Sequence, residues 1–138
     1  MSLFDLLGVS ATALTAQSVR LNTISSNLAN AETVSGSPEG AYKARHPVFA
    51  TVMADAFGKG EGLAGVRVDR IVESEAPPRK EYMPGHTLAD DDGYIYYSNV
   101  NAVAEMANMI SASRSYQNTV EVMNTSKQLL LQTLNIGR

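Results

Sequence analysis

The chain has 138 residues, a formal net charge of -3 and no cysteine. That length suits one compact unit with a core of its own, the charge balance carries no footprint for nucleic acid or an anionic membrane, and the lack of cysteine excludes disulfides, thiolate zinc sites and cysteine nucleophiles. No uninterrupted apolar run approaches the roughly 20 residues of a transmembrane helix. The opening Met1-Ser2-Leu3-Phe4-Asp5 bears an acid and no base, unlike a secretory signal. The expectation is a protein that stays in the cytoplasm or leaves by a route needing no cleaved signal.

Residues 1–31 carry only Asp5 and Arg20 as charged groups, and no proline. Leu7, Leu14, Leu21 and Leu28 recur every seven residues, with Leu3, Ser10, Gln17, Ile24 and Ala31 at the companion positions. This is coiled-coil spacing with two polar interruptions. It predicts a helix over about 3–30, roughly 42 Å long at 1.5 Å per residue. The rest of its surface is Ser, Thr, Ala, Gln and Asn, without the Glu and Lys that solvate an exposed helix. A helix with an apolar seam and an uncharged back expects protein on more than one side. Asn27, Asn30 and Thr33 stand where it has to stop. Asparagine can close a helix through a left-handed residue, and its side chain can bond freed backbone groups.

Between 32 and 99 lie all five prolines (Pro38, Pro47, Pro77, Pro78, Pro84), eight of the ten glycines and most of the charge. Proline and glycine interrupt helices, so turns and a few short strands are expected. Val66–Arg70 alternates as a strand does before breaking into Ile71-Val72. Gly93-Tyr94-Ile95-Tyr96-Tyr97 is rich in β-formers behind an Asp-Gly turn signal. Residues 34–40 and 58–65 read as flexible connections, and Pro77-Pro78 and Pro84-Gly85 as breakers.

Residues 100–138 carry only Glu105, Arg114, Glu121, Lys127 and Arg138 as charged groups. Met109, Tyr116, Met123 and Leu130 repeat at seven. Met106, Val120 and Leu134 fill the companion line, Ser113 and Lys127 interrupt it, and Val103, Ile110 and Leu131 widen the stripe. A helix over about 102–134 would be roughly 50 Å long. Globular helices average about three turns, and most apolar stripes face a core. These two are more than twice that length, and the middle is too short to bury both. The fold expected is mainly α: long N- and C-terminal helices packed as an antiparallel, coiled-coil-like pair, with a small irregular β-containing middle.

Chemistry is hard to find along the chain. Asp90-Asp91-Asp92-Gly93 is the best metal candidate, but aligning Gly93 as the sixth position of a calcium loop puts Leu88 first and Asn99 last, where acids are needed. A solvated acidic turn is the simpler reading. His46 and His86 each stand beside or near a proline in a loop, without a second ligand at helical spacing. The Gly58–Gly65 stretch has no Gly-Lys-Ser/Thr ending, and the chain has no nucleophile elbow or dinucleotide fingerprint. No catalytic residue, metal ligand or cofactor is assigned. The function expected is structural assembly and not catalysis.

The end of the first helix, Asn27-Leu28-Ala29-Asn30-Ala31-Glu32-Thr33, resembles the Asn-x-Ala-Asn-x-x-Thr signature of bacterial flagellar rod and hook proteins. Ala41-Tyr42-Lys43-Ala44-Arg45 leading to Val48-Phe49 looks like that family's continuation. Asn99 to Gln117, together with Arg79-Lys80-x-Tyr82-x-Pro84-Gly85-His86 and Asp92-Gly93-Tyr94, is similar to a proximal-rod subunit within it, and the resemblance runs over nearly the whole chain.

The resemblance implies an N-terminal axial helix and signature at 1–33, an outer middle segment at 34–99 and a C-terminal axial helix at 100–138. It implies a drive shaft passing torque from the membrane ring to the hook, located in the basal body across the periplasm and exported without a cleaved signal. The implied partners are other rod proteins, the ring-to-rod adaptor and the flagellar type III export apparatus. Self-association is expected; nucleic acid and small-molecule substrates are not. The expected assembly seams are Leu3, Leu7, Leu14, Leu21, Ile24 and Leu28 on the first helix, and Met106, Met109, Ile110, Tyr116, Val120, Met123, Leu130 and Leu134 on the second. The signature residues are Asn27, Asn30, Ala31 and Thr33. The rival readings are a cytoplasmic helical adaptor or secretion chaperone forming a closed oligomer, and a small enzyme with a metal at Asp90–Asp92.

Overall fold

The computed structural model describes residues 3–53 and 64–136, and the side-chain surroundings of residues 5–52 and 65–135. Helix α1 spans Leu3–Ala29 (27 residues) and helix α2 spans Ala102–Ile136 (35 residues). Neither contains a proline, so nothing removes an i→i−4 bond from the ladder. Asn101 caps α2: its Oδ1 accepts from Ala104 N at 3.1 Å and its carbonyl accepts from Glu105 N at 2.9 Å.

The end of α1 differs from expectation. Among the described residues no non-glycine has a positive φ, so no left-handed asparagine closes the helix. The last turn tightens instead, with Asn30 N donating to both Ser26 O and Asn27 O at 3.2 Å, and Ala31 N to Leu28 O at 3.2 Å. Asn30 Nδ2 also donates to Ser26 O at 2.8 Å and Thr33 Oγ1 to Asn30 O at 2.8 Å. Side chains satisfy these carbonyls, which leaves no need for a positive φ.

Among the described residues five strands lie between the helices: β1 Val34–Ser35, β2 Arg45–Met53, β3 Ala64–Glu73, β4 Arg79–Tyr82 and β5 Tyr94–Tyr97. One sheet has the order β1-β5-β4, antiparallel on both sides of β5; the other pairs β2 with β3. The segment 34–40 is therefore not simply a flexible connection, since Val34 faces Tyr97 and Ser35 faces Tyr96 across a ladder. Ser37 N and Gly40 N are tied to the hydroxyls of Ser35 and Ser37. The stretch 58–65 lies mostly outside the described residues, and its Gly65 belongs to β3. Strand β2 contains Pro47, tolerated because each strand of a two-stranded sheet has a free edge. Strand β4 is exposed throughout and shows no alternation. It is held by register and by cations over rings: Arg79 over Tyr97 at 4.7 Å and Lys80 over Tyr94 at 5.1 Å.

The chain divides into two compact units: the described parts of 1–21, 48–70 and 111–138, and residues 22–47 with 71–110. Each helix contributes to both. In the first, the buried side chains are small: Ser10, Ala16, Ala112 and Ser126. There β3 approaches α1 closely, Val66 N donating to Thr12 Oγ1 at 3.2 Å. A Cβ at Gly65 would lie 3.3 Å from that oxygen. In the second unit, Ile95 on the central strand β5 is fully buried, with Ile24, Ala31, Ala41 and Ala44 among the covered apolar groups.

Candidate assembly surface and signature junction

The signature begins with Asn27, on the last turn of α1 and fully buried. Its Oδ1 accepts from Arg45 N at 2.9 Å and Tyr42 Oη at 3.1 Å. Its Nδ2 donates to Arg45 O at 2.8 Å and Glu105 Oε2 at 3.1 Å. A carboxamide offers two acceptor sites and two donors, and all four are used. Arg45, which opens β2, thus has both its N–H and its C=O satisfied by one side chain. Asn99 does similar work beside it: its Oδ1 accepts from Ala44 N at 2.7 Å and its Nδ2 donates to Ala76 O at 2.7 Å. Ala44 O accepts from Ser74 N at 2.7 Å. The stretch Tyr42–Arg45 is held by side chains from α1 and from the run before α2.

Of the other signature residues, Ala31 is buried, Asn30 is half-buried and Thr33 is exposed. The structure brings Asn27 together with Tyr42, Arg45 and Glu105, which sequence reasoning did not single out as a site. Glu105 was legible only as an acid in a helix's first turn, where the dipole alone favours one.

The expected seams distribute unevenly. On α1, Leu7, Leu14, Leu21 and Leu28 are half-buried, while the companion residues Ser10, Ile24 and Ala31 are buried. The side chain of Leu3 lies outside the described residues. On α2, Met109, Tyr116, Val120, Met123 and Leu130 are half-buried. Met106, Ile110 and Leu134 stand out into solvent at 52%, 57% and 62% exposure, beside Val103 at 75%. Polar Glu105, Ala112 and Ser126, spaced at multiples of seven, occupy the covered line instead. Small residues admit a close neighbour, whereas the larger apolar groups beside them stay uncovered.

The acidic turn is organised around Asp90. Its Oδ1 accepts from Tyr94 N at 2.8 Å and Asp92 N at 3.0 Å, and its Oδ2 accepts from Tyr96 Oη at 2.9 Å. The Tyr94 N–H chiefly, then Tyr96 and the other amides, holds the carboxyl below the usual Asp range, and the Tyr96 phenol is pushed up by donating to that carboxylate. Gly93 sits at φ 81° in this turn. No cluster of three metal-ligating side chains occurs among the described residues. A cleft of about 460 Å³ lies beside Glu32, Pro77, Arg79 and residues 98–103, but Arg79 is engaged there with Glu32 at 3.2 Å.

Comparison with known proteins covers the same ground. A family described as flagella basal body rod protein matches residues 7–36, and the C-terminal family of flagellar basal body rod FlgEFG proteins matches 91–136. The chain is 44% identical to the flagellar basal-body rod protein FlgC of Salmonella typhimurium over 138 residues, all of both chains. The FlgC of Escherichia coli O6:H1 is 46% identical over the same full length. This chain belongs to the FlgC family of flagellar basal-body rod proteins. A more distant FlgC, from Borreliella burgdorferi, is 36% identical over 149 aligned positions, covering 99% of this chain and 98% of that one. The FlgC-family chain is a structural subunit of the basal-body rod and assembles with other rod components. The two matched ranges hold most of α1 with the signature turn, and β5 with α2.

Proposed function

We propose that this rod subunit works mechanically and not catalytically, polymerising with other rod proteins into the shaft that carries torque from the membrane ring to the hook. The observation that supports this is the set of uncovered apolar residues near both ends of a 35-residue helix, Val103, Met106 and Ile110 at one and Leu131 and Leu134 at the other. Clustered uncovered apolar groups favour protein against them, and a face that meets a different face on its neighbour builds an open-ended helical assembly. Segments 1–33 and 100–138 would supply the axial helices, packed as an antiparallel coiled-coil-like pair, and 34–99 the outer part. The expected seam residues, from Leu7 to Leu28 on α1 and from Met106 to Leu134 on α2, would be shared between the subunit's own packing and its neighbours. Close-packed interlocking side chains resist twist. The ring-to-rod adaptor and other rod proteins would be the neighbours. Export by the flagellar type III apparatus would bring the subunit to the periplasm.

The test uses a flagellated bacterium lacking its own FlgC. The chain restores rods and swimming, while Leu21→Asp and Met123→Asp do not, because a charge forced among packed helices costs several kcal/mol. Swimming by Leu21→Asp cells together with a discrete closed dimer in the cytoplasm would favour the adaptor reading instead.

A further inference from the structure

The junction at Asn27 holds more than a helix end requires. A buried acid in the first turn of α2 is not explained by the helix dipole, which an exposed carboxylate at any first-turn position would satisfy equally. Glu105 is instead only 4% exposed. Burying a carboxylate is costly unless hydrogen bonds replace its water. Here its Oε2 takes the Asn27 amide and its Oε1 takes Asn108 Nδ2 at 3.3 Å.

We infer that Asn27 and Glu105 form a register lock that ties the start of α2 to the end of α1 and, through the same carboxamide, to Arg45 at the entry of β2. The geometry permits one alignment. Moving α2 by a heptad puts Ala112 opposite Asn27, or Ser98, which precedes the helix. Either shift takes the carboxylate away from the Asn27 amide and leaves Glu105 only Asn108 of its own helix. Isolated polar pairs in apolar seams set register in this way, adding specificity more than stability. The lock also couples the two contacts. Arg45 N–H and Tyr42 O–H on the Asn27 Oδ1, and Arg45 O and Glu105 on its Nδ2, all require the same orientation of the amide. Glu105 thus steadies the side chain that holds Arg45, without touching Arg45 itself.

Amide exchange followed by NMR on the purified full-length chain tests this. Glu105→Leu removes the acceptor and should speed exchange of the Arg45 N–H by about tenfold, equivalent to about 1.4 kcal/mol. Glu105→Gln keeps a carbonyl for Asn27 and should stay within about threefold of the parent. A helix-local role would alter only amides near the start of α2. The lock is overturned if Glu105→Leu leaves Arg45 unchanged, if Glu105→Gln accelerates it as much as Glu105→Leu, or if Arg45 is unprotected in the parent. Should Glu105→Leu fail to fold, Glu105→Asp decides, its carboxylate drawn back by one methylene. Faster Arg45 exchange with α2 otherwise protected supports the lock, and parent-like exchange overturns it.

Discussion

At the residue scale, Asn27 and the Asn30–Thr33 pair have different weights. Asn27→Ala would take from the Arg45 N–H and C=O the carboxamide that bonds both, each loss costing about 1–2 kcal/mol. The expected loss is on the order of 2–4 kcal/mol, read as a lowered urea midpoint. Asn30→Val with Thr33→Val removes only local bonds at the tightened turn, about 1 kcal/mol in all. That chain should fold and be exported yet enter rods poorly, as measured by secreted subunit against rods counted in basal bodies. Failure of secretion with intact protein retained in the cell would make the segment an export signal. Asp90 gives a pH dependence. Its folded carboxyl lies below the ordinary Asp range, so its contribution is present above the unfolded pKa and is lost as pH falls through the lower, folded value. Amides of the turn before β5 should therefore exchange faster below the usual carboxylate range. The step should vanish in Asp90→Asn, and Asp91→Asn should behave like the parent.

At the element scale, the two sides of α2 separate stability from assembly. Ala112 is fully buried and Ile110 stands exposed two residues away. Ala112→Leu overpacks a covered line and should cost about 1–3 kcal/mol of subunit stability. Ile110→Lys should stay within about 0.5 kcal/mol by the same denaturation measurement, yet block rods in cells. Parent-like rod counts in Ile110→Lys cells would remove this face from the assembly surface. Both helices were legible as elements, because heptads and the absence of proline are local properties. Which line of each heptad is covered was not. Ser10, Ala16, Ala112 and Ser126 carry little hydrophobic signal, and they are buried because their size lets a neighbour come close. Strands β1, β2 and β4 escaped notice: β1 has two residues, β4 is exposed and shows no alternation, and β2 carries Pro47, which argues against a strand in a sequence.

At the scale of the whole molecule, the uncovered apolar residues on α2 predict open-ended behaviour. Light scattering on the purified chain should show monomer or growth without a preferred size as concentration rises, and a single closed dimer would contradict this. The sequence by itself determined the length and bounds of both helices, the β character of Tyr94–Tyr97 and the turn at Gly93, because periodicity, proline content and Asp-Gly chemistry act over a few neighbouring residues. The signature string was readable too, but only as a string. The tertiary structure alone decided that Asn27 faces Arg45, Tyr42 and Glu105, the last of them 78 positions away. No periodicity encodes such a meeting. It depends on where β2 and α2 return to the end of α1, and a buried amide takes whatever partners that return brings within hydrogen-bond reach.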